Sequence, residues 1–265
     1  MRTLKFFLFF TMLAGIVAAQ PIIATGGVID GASFAKGRAV SPGSLVSIFG
    51  SGLSSALQSG DTVPLSTAIN SVSVTFDGVP AGLYFVSDGQ VNAQLPWNVM
   101  APGSVTGTVN AVVTKNGTAS APMAVPVNLY SPGIFSIPPG AGYAIAINPD
   151  GSIAAPAGAI PGFPTHPAKV GDALIVLANG LGPVDTPLAN GAASLDALRR
   201  TTTLPVVLVG GQSAQVVFSG LTPQFPGINQ LNLVVPSGAT GDTVPLQIQI
   251  GGVTSPAGVN IAVSK

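Results

Sequence analysis

The chain has 265 residues, of which 7% are charged, and its nine Lys and Arg residues balance nine acidic residues. A neutral, sparsely charged chain lacks the basic patch that binding to nucleic acid requires, which argues against nucleic acid as a partner. The absence of Cys excludes disulfides and thiolate metal sites, and a single His excludes the ordinary zinc sites.

The first 19 residues have the organisation of a secretory signal peptide. Two basic residues precede the apolar run 6–17, and Val17-Ala18-Ala19 places small residues before a cut at Gln20. The apolar run is shorter than the roughly 20 residues that a membrane span needs. We therefore expect residues 1–19 to be removed. The mature chain, without a transmembrane segment, is then secreted, extracellular or held at the cell surface, with the periplasm as the alternative location.

The sequence after residue 19 predicts many short strands. Its 34 Gly and 24 Pro residues punctuate β-branched runs, a pattern typical of strands joined by tight turns. Leu45–Phe49, Val72–Phe76 and Val244–Ile250 are such runs, and the last alternates apolar and polar residues as a half-buried strand does. Glu is absent, and only Ala192–Arg200 suits a helical turn. The predicted fold class is all-β.

An internal repeat divides this all-β chain into two. Ser41–Leu53 resembles Lys169–Leu181, because in both a turn Gly leads into a strand that ends in Gly-Leu. Further along, Gln90–Pro96 parallels Gln230–Pro236. The leading segments Ile29–Phe34 and Asn148–Ile153 correspond weakly.

Each copy also carries two dipeptides suited to the positive-φ positions of a two-residue hairpin turn. These are Asp77-Gly78, Asn116-Gly117, Gly210-Gly211 and Gly251-Gly252. Two copies of one strand-and-turn plan, each near the size of an Ig domain, predict two tandem Ig-like β-sandwiches. We place them at residues 20–131 and 132–265, with the boundary at Ser131-Pro132-Gly133.

Four separated motifs in this order resemble an uncharacterised domain family of Acidobacteria such as Solibacter. They are Ser41–Gly50, Val91–Trp97, Ser131–Phe135 and Asn179–Val184. Each half is also similar to the IPT/TIG class of Ig-like domains. The resemblance implies an extracellular β-sandwich module, often found at the C-terminus of larger exported proteins, and it implies no activity.

Candidate catalytic residues are few. A Ser-His-Asp triad would have to use His166, which stands between prolines, and no Gly-x-Ser-x-Gly elbow presents a serine. Most Asp residues stand beside Gly or in turn-like contexts, which favours a role in turns over paired acid/base chemistry. The segment Asn148–Ser152 is read as a β-turn rather than part of a calcium loop, because the further ligands of such a loop are missing. We expect no catalytic site, no metal site and no cofactor.

The aromatic residues leave one candidate for ligand binding. Trp97 is the only tryptophan, and with Tyr84 it is a candidate ligand-binding pair for a sugar if the two rings are exposed. Burial at the core or between the domains is the alternative for Trp97.

Three functional hypotheses follow. The first is a non-enzymatic structural or binding module of the envelope or matrix, acting in adhesion or protein–protein interaction. The second is a carbohydrate-binding protein, and the third is a secreted hydrolase with a concealed site. The expected partner is an envelope or extracellular protein, or a polysaccharide.

Overall fold

The computed structural model describes residues 20–265, so the predicted signal peptide lies outside the described residues. Residues 20–265 form strands, turns and loops, which confirms the all-β class. They contain no helix long and apolar enough to cross a membrane.

The first half of the chain forms two facing sheets, and Val46 and Val74 are buried between them. Its strands are β1 (Ile22–Asp30), β2 (Leu45–Ser51), β3 (Gln58–Ser59), β4 (Ala68–Ile69), β5 (Val72–Phe76), β6 (Val79–Pro80), β7 (Gly82–Val86), β8 (Gln90–Gln94), β9 (Thr106–Lys115), β10 (Thr118–Ala119) and β11 (Met123–Asn128). One sheet has the order β1-β2-β8-β7-β3. The other has the order β10-β9-β5-β4, with β11 also paired to β9 and β6 to β5.

The second half forms one continuous hydrogen-bonded system. Its strands are β12 (Gly133–Ile134), β13 (Ser136–Ile137), β14 (Gly142–Ala144), β15 (Ala146–Ile147), β16 (Ile153–Ala154), β17 (Thr165–His166), β18 (Ala168–Lys169), β19 (Ala173–Asn179), β20 (Val206–Val209), β21 (Gln212–Leu221), β22 (Asn229–Val234), β23 (Gly241–Ile250), β24 (Val253–Thr254) and β25 (Val259–Ser264). Strand β21 pairs with β20 at its start and with β22 along the rest, so one long strand links the two faces of the sandwich.

Each half has its own hydrophobic core, because alternate residues of its strands point inward. The first core includes Ile48, Phe76 and Leu83, and the second includes Leu231 and Ile248, all five fully buried. Full burial of one such side chain stabilises the fold by about 1.5–3 kcal/mol. Burial therefore holds two sandwiches together in a chain that has no disulfides.

All four predicted hairpin turns are confirmed. In each, two residues connect paired strands and both have positive φ, the geometry that matches the twist of the flanking strands. The turns are Asp77-Gly78, Asn116-Gly117, Gly210-Gly211 and Gly251-Gly252.

The internal repeat extends to side-chain hydrogen bonds. The backbone N–H of Val113 donates to Oγ of Ser120 at 3.1 Å, and the N–H of Ile248 donates to Oγ of Ser255 at 3.0 Å. In both halves the serine follows the strand residue by seven positions. In return each serine N–H donates to the carbonyl of the same strand residue, at 2.8 Å in both halves. Equivalent hairpins in the two sandwiches are therefore held at their ends by the same pair of hydrogen bonds.

The segment 192–200 is irregular and ends in a β-bridge, and it does not form the helical turn that its composition suits. Arg200 pairs with Gly220 in an isolated antiparallel bridge, and the buried guanidinium of Arg199 bonds both carboxylate oxygens of Asp196. Pairing to the edge of β21 therefore decides the conformation, because tertiary hydrogen bonds override weak local propensity.

We predict that Ser120→Ala and Ser255→Ala each lower the free energy of unfolding by about 1–3 kcal/mol, since each leaves one buried backbone N–H without a partner. Urea denaturation of each variant measures this. Ser213→Ala, at an exposed strand position, is the control and should change stability by less than about 0.5 kcal/mol. Equal midpoints for all three variants would contradict the prediction.

Candidate functional site

A buried carboxyl group joins the two sandwiches. Asp30, at the end of β1, is 4% exposed. Its Oδ1 atom accepts hydrogen bonds from the N–H and Oγ of Ser33, both at 2.7 Å, and from the N–H of Ala32 at 3.2 Å. Its Oδ2 atom accepts one from Nδ2 of Asn179, at the end of β19, at 2.5 Å. One side chain thus fixes the turn after β1 and contacts the other half of the chain.

Asn179 extends this contact into the first sandwich. Its Nδ2 also donates to the carbonyl of Leu45 at 2.7 Å, and its Oδ1 accepts from the Leu45 N–H at 3.1 Å. Burial raises the pKa of the Asp30 carboxyl, since desolvation outweighs the hydrogen bonds from Ser33, Asn179 and Ala32. Gly133 passes so close that a Cβ there would lie 2.3 Å from Oδ1 of Asp30, which leaves no room for a larger residue.

Further contacts surround this junction. The fully buried Gln94 accepts the N–H of Gly191 through Oε1 at 2.5 Å. The hydroxyl of Tyr84 donates to the carbonyl of Pro226 at 2.7 Å, and burial raises the pKa of this tyrosine. Tyr84 is therefore half-buried, and its hydroxyl group is already engaged in a hydrogen bond to the second sandwich.

Trp97 also lies at the junction. Its backbone N–H donates to Oδ1 of Asn190 at 2.8 Å, and its ring covers Gly43, where a Cβ would lie 2.2 Å from ring atom Cζ3. The indole Nε1 is buried without a hydrogen-bond partner among the described residues. The half-buried ring lines a small cavity of about 190 Å³ to which Tyr84 does not contribute. Tyr84 thus bonds the second sandwich through its hydroxyl and Trp97 through its backbone, and the two rings do not share one cavity.

His166 lies in a polar cluster on the second sandwich. Its Nε2 atom contacts Oδ2 of Asp150 and its Nδ1 atom contacts the carbonyl of Pro167, both at 2.8 Å. The Oγ of Ser152 donates to Oδ1 of Asp150 at 2.7 Å. The bonds to Pro167 and Asp150 raise the pKa of His166, and those from Ser152 and His166 lower the pKa of Asp150.

This cluster lacks the geometry of a catalytic triad. A triad histidine accepts the proton of the serine hydroxyl, whereas here Ser152 donates to Asp150 and both nitrogens of His166 face acceptors. Ser152 also donates its N–H to Asp150 at 3.0 Å, which makes the segment a side-chain-stabilised turn. Within residues 20–265, no three His or Asp side chains come together as a set of metal ligands.

The first sandwich has a pocket that was not among the features predicted from the sequence. The pairing of β1 with β2 passes from Ile23–Gly50 directly to Val28–Ile48, so residues 24–27 stand opposite the single residue Phe49. This bulge, together with Ile29, Phe34, Lys36 and Phe49, lines a cavity of about 410 Å³ that we call the bulge pocket. Its volume lies in the range of small-molecule sites. Gly26-Gly27 inside a strand was the available sequence signal, because interior glycines often mark bulges.

The floor of the bulge pocket is aromatic. The rings of Phe34 and Phe49 have centroids 6.2 Å apart with planes tilted by 57°, and both are half-buried. Phe34 has φ +53°, in the left-handed region that a bulky residue rarely adopts. Its N–H donates to the carbonyl of Asp30 at 3.1 Å, so the turn fixed by the Asp30 carboxyl holds this conformation.

Comparison with known proteins finds a family match for one of the two sandwiches. Residues 28–127 match the IPT/TIG domain, which agrees with the Ig-like β-sandwich of the first half. No curated protein matches the sequence.

Several solved structures are similar in part. The chain shares 14% identity, with a TM-score of 0.33, with SGBP-B from the mixed-linkage glucan utilization locus of Bacteroides ovatus, determined with a mixed-linkage heptasaccharide; the match covers 85% of this chain and 43% of that one. It shares 15% identity (TM-score 0.27) with SGBP-B from a xyloglucan utilization locus of Bacteroides uniformis, covering 92% and 50%. The γ-CGTase of Bacillus clarkii gives 13% identity (TM-score 0.27), covering 93% and 26%. The chain thus spans half or less of each protein.

We predict that Asn179→Ala lowers the free energy of unfolding by about 3 kcal/mol. The substitution removes the contact with Asp30 and leaves the buried polar groups that Asn179 satisfies without hydrogen-bond partners. Chemical denaturation measures the loss. Asn190→Ala is the control at the same junction, since Asn190 is exposed and its loss should cost less than about 1 kcal/mol. Similar losses for the two variants would show that the Asp30 contact has no special weight.

We also predict that the pKa of His166 lies above its ordinary value of 6.5 and falls in Asp150→Asn. A raised pKa means that the stabilisation is complete below pH 6.5 and is lost as the pH rises through the folded-state pKa. Because His166 is the only histidine, an NMR titration of imidazole resonances gives the value directly. Asp172→Asn should lower it less, because Asp172 acts only through its charge. An unchanged pKa in Asp150→Asn would refute the assignment.

Proposed function

We propose that this protein is an exported, non-enzymatic binding module of the cell envelope or extracellular matrix, acting in adhesion or protein–protein interaction. The observation that carries the proposal is a group of four exposed apolar side chains in the segment 195–206, which also contains the exposed Asp196 and Arg200. Leu195, Leu198 and Leu204 are 69, 68 and 66% exposed, and Val206 follows at 46%. Large exposed apolar patches mark interaction surfaces in soluble proteins.

The docking of the two sandwiches supports the same proposal. Asp30, Gln94 and Tyr84 each bond the second sandwich, so the segment 195–206 belongs to a domain that is held to the first sandwich at several points. A surface that is already ordered loses less conformational entropy on binding than a mobile one. The geometry around His166 gives no corresponding support to the hydrolase alternative, because no serine among residues 20–265 donates to the imidazole.

Carbohydrate binding remains the second candidate, and the bulge pocket favours it. Its aromatic floor and its volume of about 410 Å³ suit a ligand better than the smaller cavity beside Trp97. The two SGBP-B structures belong to glucan and xyloglucan utilization loci, and one holds a heptasaccharide.

We predict that the purified protein is retained on native cell envelopes and that Leu195→Ser with Leu198→Ser reduces retention at least fivefold, because the variant removes apolar contact area. Co-sedimentation with envelopes and with insoluble polysaccharides measures this. Leu57→Ser is the matched control, since Leu57 is 74% exposed in the other half. Trp97→Ala, checked for folding, tests the sugar-binding alternative for that residue. Retention that does not change when residues 195 and 198 are substituted would overturn the role of the segment 195–206.

A further inference from the structure

The bulge pocket has a polar wall above its aromatic floor. Residues 24–27 lie outside the paired register of β1 and β2, and Ala24, Thr25 and Gly26 are exposed. A strand with small side chains and unpaired register presents backbone N–H and C=O groups to whatever enters the pocket. An aromatic floor and a peptide wall together suit a ligand with one apolar face and several hydroxyl groups.

The only charge that lines the pocket is positive. Lys36 is exposed at its rim and is the only charged residue that lines it. Among residues 20–265, the ion pairs involve His166 and Arg199, so the ammonium group of Lys36 has no carboxylate partner there. The pocket therefore complements a single negative charge.

The backbone at Phe34 indicates that the ring is held in place against a conformational cost. Left-handed backbone in a bulky residue is unfavourable and persists only where neighbouring structure over-determines it, a condition common at binding sites. Here the Asp30 carboxyl bonds the N–H groups of Ala32 and Ser33 directly before Phe34. The network that joins the sandwiches thus also presents the aromatic floor.

We infer that the bulge pocket binds a sugar ring that carries a carboxylate, such as a uronate residue of an acidic polysaccharide. The C–H face of the ring packs on Phe34 and Phe49, hydroxyl groups bond the peptide wall, and the carboxylate pairs with Lys36. This inference names a ligand class for the proposed binding module and rests on that proposal.

Isothermal titration of the purified protein with oligogalacturonate tests it, with the methyl ester of the same oligomer as the uncharged probe. Wild-type protein should bind the acid about fivefold or more tightly than the ester, and the difference should shrink as salt is raised. Lys36→Gln should bind both probes equally. Lys169→Gln makes the same charge change at an exposed position of the second sandwich and should behave as wild type.

Phe34→Asn tests the floor without a penalty to the backbone, because Asn tolerates the left-handed region better than Phe. It should lose at least tenfold in affinity for both probes while the melting temperature is kept. No binding of oligogalacturonate, or binding indifferent to residues 34 and 36, would overturn the inference. Retention on envelopes, measured on the same variants, separates the two proposals: retention without uronate binding overturns only the sugar site, and uronate binding without retention overturns only the envelope module.

Discussion

The hydrogen bonds of the Asp30 carboxyl connect the features on which the rest of this structure depends. One oxygen accepts from the turn at Ala32 and Ser33, and the other accepts from Asn179 in the second sandwich. Burying a carboxyl group costs free energy unless donors surround it, and here four donor contacts converge on one buried side chain. These contacts offset only part of the cost of burial, and they order a turn and a domain junction together.

Two consequences follow from this shared anchor. The turn that Asp30 holds leads directly into the left-handed backbone of Phe34, and the junction that it holds is lined by Gln94 and Tyr84. Asp30 itself does not line the bulge pocket, so its contribution there is made through the turn that leads to Phe34.

The parts of the fold that depend on neighbouring residues were predictable, and those that depend on distant partners were not. Asn116-Gly117 specifies its hairpin within two residues, since the turn needs positive φ at both positions. Asp30-Gly31 carries an equally local turn signal, yet its decisive partner Asn179 lies 149 residues away. The bulge pocket was missed for the same reason: Gly26-Gly27 marks a bulge, but only the fold brings Phe34 and Phe49 together beside it. The limits at residues 131 and 132, and the likeness to an acidobacterial family, stay predictions.

Comparing the two copies of the internal repeat shows which features they share and which differ between them. Both copies keep the same hydrogen bonds at the end of a hairpin, through Ser120 and Ser255. The segments that correspond weakly, around Asp30 and Asp150, differ in what they do. Asp30 is buried and anchors the turn of the bulge pocket, whereas Asp150 is 60% exposed and bonds His166. The two copies differ at this leading edge, whereas the serine hydrogen bonds at the ends of their hairpins are the same. The leading edge of the first sandwich is therefore where a function beyond folding is best sought.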